Sequence, residues 1–122
     1  MNKKICYWDE LKKEVVATVE DRDGKLFLKY TPGRKRLLVD PSLPEGFEGY
    51  LSDWQIDGLV DRLPVNTNPR YPEYCIRWEI SKDETDILTL LCTLGHRSTS
   101  AYVCKPVGWE PLGYGKNSTN KA

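Results

Sequence analysis

The sequence predicts an α+β fold: a small antiparallel sheet, made of an N-terminal meander and a strand near 101–105, with two or three short helices packed against it. The first observation is a series of short β-branched and aromatic runs in the N-terminal third, separated by turn residues as in a meander of antiparallel strands. The second is an apolar stripe between residues 84 and 94, whose three- and four-residue spacing is typical of a helix. A helix this short must bury its stripe on a surface, and we expect that surface to be the N-terminal sheet.

The strands of the meander follow one another closely along the chain. Residues 4–8 predict the first strand, residues 14–20 the second and residues 25–30 the third. Asp-Gly at the end of residues 21–24 favours a tight hairpin between the last two, because both residue types tolerate positive φ. Residues 36–39 predict a fourth strand. In the third strand, alternation places three side chains on one face, Leu26, Leu28 and Tyr30, and two on the other, Phe27 and Lys29.

Three segments predict helices. Residues 52–55 resemble a helix start, with a serine cap and an acid in the first turn. Residues 72–80 read as either a helix or a strand, and we favour the helix because proline suits its first position. The central helix carries the apolar stripe Ile87, Leu88, Leu90, Leu91 and Leu94.

The ends of the central helix are also predicted from local sequence. Thr85 or Asp83 can cap its start, and Gly95 can adopt the left-handed conformation that ends it. The strand that follows includes Ala101 and is expected to stop at Pro106.

Composition favours one cytoplasmic domain with no cofactor. The chain has 122 residues, enough for one modest core, and it carries 18 basic and 18 acidic side chains, so its overall charge does not indicate direct nucleic-acid binding. No apolar run is long enough to span a bilayer, and the first residues lack the features of a secretory signal. We assign the domain to residues 1–112 and a disordered polar tail to 113–122, where small polar residues dominate.

The four cysteines show no close-spaced pair of the kind that zinc sites use, so we interpret them as small buried hydrophobic residues. His96 and Arg97 follow the central helix, where cations meet the negative end of the helix dipole. No arrangement of residues in the sequence indicates a catalytic site, so we expect a protein that is not an enzyme.

Several short motifs follow one another between residues 5 and 106. Phe27 and Tyr30 lie in DGKLFLKY, near the position of an F-x-Y pattern. Ser-Leu-Pro follows at residues 42–44, and the run DILTLLCTLG then matches D-x-F-x-L-L-x-x-[LI]-G through its leucines and Gly95. In this order and spacing the chain resembles the N-terminal subdomain of HipA-type serine/threonine kinases. The family also has an F-F-x-x-L-L-P segment, to which IDGLVDRLP corresponds here without the two aromatic residues. After the last glycine the family continues R-D-x-x-G, whereas this chain has His96-Arg97 in place of Arg-Asp and Ser100 in place of Gly.

The phosphate-binding loop and the catalytic aspartates of such kinases are not in this sequence. The resemblance therefore implies a HipS-like antitoxin of a HipBST toxin–antitoxin system, which binds and neutralises a HipT- or HipA-like kinase. A HipB-like helix-turn-helix protein would complete the complex. The alternative is a structural subunit that completes a split kinase without inhibiting it. A small nucleic-acid-binding protein is a third class, which the neutral overall charge disfavours.

The partner-binding surface is expected in an acidic, proline-bounded segment. Between Leu37 and Asp61 there are six acidic and no basic residues, whereas the first 36 residues hold ten basic and six acidic ones. Trp54 is either an anchor inserted into the partner or a local core residue under a loop. The acids would face the basic phosphate-binding cleft of the kinase and obstruct its nucleotide site. The residues proposed to contact the partner are Trp54, Asp53, Gln55, Asp57, Glu48 and Arg62.

Overall fold

The predicted α+β class is confirmed by the computed structural model, which describes residues 2–33, 43–61, 63–97 and 102–114. Five antiparallel strands form one sheet in the order β4-β3-β2-β1-β5. The elements in chain order are β1 (Lys4–Asp9), β2 (Glu14–Arg22), β3 (Lys25–Tyr30), β4 (Glu48–Tyr50), α1 (Asp53–Val60), α2 (Tyr71–Trp78), α3 (Ile87–Cys92) and β5 (Tyr102–Pro106).

The N-terminal meander forms as predicted. Asp23 and Gly24 both have positive φ, 55° and 86°, which suits the twist of a two-residue hairpin between β2 and β3. A bulge interrupts the pairing of β1 with β2, because Tyr7 lies opposite Ala17 while Trp8 lies opposite Val15. The sheet therefore keeps one apolar face in register, formed mainly by Ile5, Tyr7, Ala17, Val19, Leu26, Leu28 and Tyr30.

The fourth strand of the sheet in chain order is a short segment that sequence reasoning did not identify. The predicted strand 36–39 lies outside the described residues. β4 instead pairs residues 48–50 with β3, so that Tyr50 lies opposite Phe27. Its three residues include a glycine and an acid, which have low strand propensity, and only pairing with β3 makes them a strand.

β5 joins the N-terminal sheet as predicted, although Ala101 lies outside the described residues. Its partner, which the sequence did not indicate, is β1. The outer edge of β5 is bonded to the turn that follows α3. The Cys104 amide donates to the His96 carbonyl at 2.7 Å, and the His96 ring Nδ1 donates to the Cys104 carbonyl at 3.0 Å. His96 thus satisfies both outward backbone groups of Cys104, which protects this edge from pairing with another chain.

α3 packs its stripe on the sheet as expected, and Leu88, Leu91 and Cys92 are buried. Its predicted ends are wrong. The cap is Asp86, whose carboxylate accepts from the Thr89 amide, because the helix begins later than Thr85 or Asp83 would allow. Helical structure stops at Cys92, with Thr93 as the C-cap.

Gly95 permits a close approach between two loops rather than a left-handed conformation. It does not have positive φ. A Cβ at Gly95 would lie 2.7 Å from Leu63 Cδ2 and 3.3 Å from the Leu91 backbone. The absence of a side chain therefore lets the loop after α1 pack directly on the turn after α3.

The other two helices form where predicted. Ser52 and Gln55 make a complete capping box at the start of α1. α2 carries Pro72 in its first turn and ends at Glu79, which has a left-handed conformation with φ 56°. The helix reading of residues 72–80 is therefore confirmed over the strand reading.

The predicted boundary at residue 112 is wrong for the two residues that follow it. Tyr114 is buried, and its ring packs against Trp78 and His96 at centroid distances of 5.8 and 5.5 Å. Gly113 lies on the end of α2, where a Cβ would approach the Trp78 carbonyl oxygen to 2.5 Å. The rest of the proposed tail, residues 115–122, lies outside the described residues.

Candidate partner-binding surface on α1

The outward side of α1 carries a tryptophan among carboxylates. We define the α1 acidic face as Asp53, Trp54, Asp57 and Asp61, four exposed residues at helical spacing. Trp54 leaves 66% of its surface exposed, so its interpretation as a core residue is wrong. The opposite side of the helix supplies the packing, since Leu59 is buried and Ile56 lies against the core.

The start of α1 is held firmly by local bonds. The Ser52 amide donates to Gln55 Oε1 at 2.9 Å, and the Gln55 amide donates to Ser52 Oγ at 3.3 Å. The Leu51 amide donates to the Leu26 carbonyl at 2.9 Å, which joins this corner to β3. Gln55, one of the predicted contact residues, therefore positions the helix that presents Trp54.

The charges on α1 are not all explained by helix stability. Asp53 lies in the first turn, where the positive end of the helix dipole favours a carboxylate. Asp61 is the C-cap and the last turn has no basic residue, so Asp61 lies at the end that disfavours negative charge. The dipole of α1 therefore favours Asp53 but gives no stabilisation to Asp61.

Glu48, another of the predicted contact residues, does not join this surface. Glu48 lies on β4 directly opposite Lys29, on the side of the sheet that does not face the helices. Arg62 lies outside the described residues. The structure therefore brings together Asp53, Trp54 and Asp57, adds Asp61, and places Glu48 elsewhere.

A half-open cavity of about 350 Å³ lies beside the loop that follows α1. Two aromatic rings, Tyr74 and Trp78, and the Arg77 side chain line it together with Pro64 and Leu94. It is large enough for an apolar side chain. Sequence reasoning missed it because its walls come from α2 and from two loops that are distant in sequence.

A second cavity, of about 360 Å³, is lined mainly by ionisable side chains beside β5. The Arg97 guanidinium donates to Glu10 Oε1 at 3.0 Å, and this bond lowers the pKa of the Glu10 carboxyl. The His96 ring at its wall donates to the Cys104 carbonyl and packs against both Trp78 and Tyr114, which also contact each other. These contacts give His96 a structural role at the edge of the sheet.

The cysteines are all free and buried, which confirms their interpretation as small hydrophobic residues. Burial raises the pKa of the Cys104 thiol to about 12 and raises that of Cys92 well above its usual value, so both remain protonated near neutral pH. In the described part of the chain, no three His, Cys, Asp or Glu side chains come together as a metal site.

None of the helices in the described ranges has both the length and the apolar character that a membrane crossing requires. Comparison with protein-family models, curated proteins and solved structures gives no match.

Proposed function

We propose that this protein is a HipS-like antitoxin that binds a HipT- or HipA-like serine/threonine kinase in the cytoplasm and neutralises it, with a HipB-like DNA-binding protein in the same complex. The observation that carries the proposal is the exposure of Trp54 among carboxylates on a firmly capped helix. An exposed tryptophan that its own fold does not bury is a typical anchor of a protein interface.

The mechanism we propose is occlusion of the kinase nucleotide site. Trp54 inserts into an apolar recess at the mouth of the cleft, while Asp53, Asp57 and Asp61 face the basic groups that bind the ATP phosphates. The carboxylates occupy the electrostatic position of the nucleotide, and opposite charge accelerates association. The protein itself carries out no chemistry in this mechanism.

The first test uses a purified HipT-like kinase from the same genome, titrated with the protein. The unmodified protein is expected to bind and to suppress autophosphorylation. Trp54→Ala is expected to weaken binding by at least about thirtyfold, the effect of losing a central anchor. The matched control is Leu11→Ala, which removes another exposed apolar side chain from the turn after β1. Equal affinity of the Trp54→Ala and Leu11→Ala variants for the kinase would exclude α1 as the kinase-binding surface.

A second set of variants tests the role of the charges. Asp53→Asn, Asp57→Asn and Asp61→Asn together are expected to slow association and to reduce its dependence on salt, because steering comes from exposed charge. The control Asp83→Asn removes one exposed acid from the turn before α3 and should leave the association rate unchanged. If the kinase binds the protein and becomes more active, the antitoxin proposal is rejected in favour of the alternative, a structural subunit that completes a split kinase.

A further inference from the structure

The face of the sheet that points away from the helices carries basic and aromatic side chains, unlike the apolar face that packs in the core. Residues that lie directly opposite each other in antiparallel strands share a face, so the strand register defines it. None of the described helices packs there, since α1 and α3 bury their side chains in the core on the other face. By register this face, called the open sheet face, consists of Lys4, Cys6, Trp8, Val15, Thr18, Glu20, Arg22, Lys25, Phe27, Lys29, Glu48, Tyr50, Val103 and Lys105. Cys6 and Val103 are buried, so the surface open to a ligand is made by the other residues.

Aromatic rings on this face are paired with cations. The Arg22 guanidinium lies 3.8 Å from the centroid of Phe27, and Lys105 Nζ lies 4.8 Å from the centroid of Trp8. Phe27 also meets Tyr50 edge to face at 5.1 Å, and 53% of Tyr50 is exposed. Phe27 and Trp8 are partly exposed, and the cationic side chains that lie on them are flexible and can move away without disturbing the core.

The charge on the open sheet face is positive although the whole chain is neutral. It holds five basic and two acidic residues. Arg22 Nε donates to Glu20 Oε1 at 2.8 Å, and Glu48 lies opposite Lys29, so each acidic residue is next to a basic one. Lys25 and Lys29 are exposed beside Phe27 in β3, so basic groups stand next to the rings. An anionic ligand with flat apolar groups would match this pattern.

We propose that the open sheet face binds single-stranded nucleic acid. Unpaired bases would stack on Phe27, Tyr50 and Trp8, while the phosphates would meet the lysines between and around the rings. Arg22 and Lys105 would turn from the rings to the phosphates as the bases replace them. A duplex does not fit, because its bases are already stacked on each other. This activity goes beyond the proposed antitoxin function and uses the other side of the sheet from α1.

The test measures binding of the purified full chain to fluorescein-labelled decathymidylate by fluorescence anisotropy over a range of salt concentrations. For about three phosphate contacts, the logarithm of the binding constant should fall with the logarithm of salt with a slope of roughly −2. Phe27→Leu keeps an apolar side chain but removes the ring, and it should weaken binding about tenfold. Circular dichroism confirms that each variant is folded.

A charge-matched pair of variants makes the test decisive. Lys25→Glu with Lys29→Glu should weaken binding more than tenfold and reduce the salt slope by roughly one. Lys12→Glu with Lys82→Glu changes the net charge equally, but at exposed turns away from this face, and should have a much smaller effect. Equal effects of the two pairs, equal binding of the decathymidylate–decaadenylate duplex, or no saturable binding at low salt would each overturn the proposal. Kinase binding is not part of this assay, so its outcome is independent of the antitoxin proposal.

Discussion

At the scale of single residues, Gly95 shows how one missing side chain joins two parts of the molecule. Leu63, from the loop after α1, reaches into the space that a Cβ at this position would fill. On the other side, the Leu91 backbone is 3.3 Å from the same point. Neither contact is visible from the residues next to Gly95 in sequence, where the glycine resembles an ordinary helix terminator.

We expect Gly95→Ala to lower the free energy of unfolding by about 1–3 kcal/mol, because the added methyl group overpacks a closed contact. Urea unfolding followed by tryptophan fluorescence measures the change. The control is Gly58→Ala on the exposed side of α1, where a methyl group should instead stabilise the helix by up to about 1 kcal/mol. A Gly95→Ala protein as stable as the parent would contradict the close packing of these two loops.

Trp54 also belongs to the residue scale. Its position at the start of α1 was apparent from the serine cap before it, but whether its ring faced the core or solvent was not. A helix of eight residues can present its second residue to either side, depending on where its remaining apolar residues meet the sheet. Burial of Leu59 decided the orientation and left Trp54 outside.

At the scale of elements, α3 is the short helix on which the core depends, and Asp86 holds its start. The Asp86 carboxylate accepts hydrogen bonds from the Thr89 amide at 3.0 Å and the Thr89 hydroxyl at 2.6 Å, and it pairs with Lys3 Nζ at 3.0 Å. Partial burial opposes its charge, but these hydrogen bonds and Lys3 outweigh burial and lower the pKa of the Asp86 carboxyl. The charged form therefore stabilises the folded chain.

We expect Asp86→Ala to lower the free energy of unfolding by about 1–2 kcal/mol near neutral pH, the usual loss for a helix cap. Because the folded-state pKa is depressed, the Asp86 contribution is present above its unfolded pKa of about 3.9 and is lost as pH falls through the folded value. The difference between parent and variant should therefore shrink as the medium is made more acidic than about pH 4. Denaturant titrations at several pH values measure it.

The comparison variant for this experiment is Asp83→Ala. Asp83 was one of the two predicted caps, but it is exposed in the turn before α3. Its removal should change stability by less than about 0.5 kcal/mol. A larger loss for Asp83→Ala than for Asp86→Ala would contradict the assignment of Asp86 as the N-cap of α3.

At the scale of the whole molecule, the chain after β5 packs back against the domain. The Trp109 indole N–H donates to the Lys4 carbonyl at 2.9 Å, so this segment is bonded to the first strand. Tyr114 then packs with Trp78 of α2 and with His96 at the edge of the sheet. Three regions that are distant in sequence meet around this tyrosine.

We expect Tyr114→Ala to lower the free energy of unfolding by about 3 kcal/mol, because it removes a large ring from a buried contact. For a domain of this size the midpoint of thermal unfolding should fall by roughly 10–20 °C. Differential scanning calorimetry measures both quantities. Leu112→Ala is the control, since Leu112 is 74% exposed only two residues away and its loss should shift the midpoint very little. Similar unfolding midpoints for the two variants would contradict the proposed contribution of Tyr114 to the core.

Local sequence was sufficient for the features that depend on a few neighbouring residues. The Asp23-Gly24 hairpin, the alternation of β3, the capping box of α1 and the proline at the start of α2 each follow from propensities that act within one or two turns of chain. The strand pattern near residues 101–105 also predicted a strand of this sheet, although not that it would pair with β1.

Tertiary contacts decided the remaining features, because burial and pairing depend on residues that are distant in sequence. β4 is a strand only because β3 lies beside it, and Tyr114 is buried only because α2 and the turn after α3 enclose it. The candidate surfaces were decided in the same way. Strand register separates Glu48 from Trp54 and gathers the basic and aromatic residues of the open sheet face, an arrangement that a neutral overall charge cannot reveal.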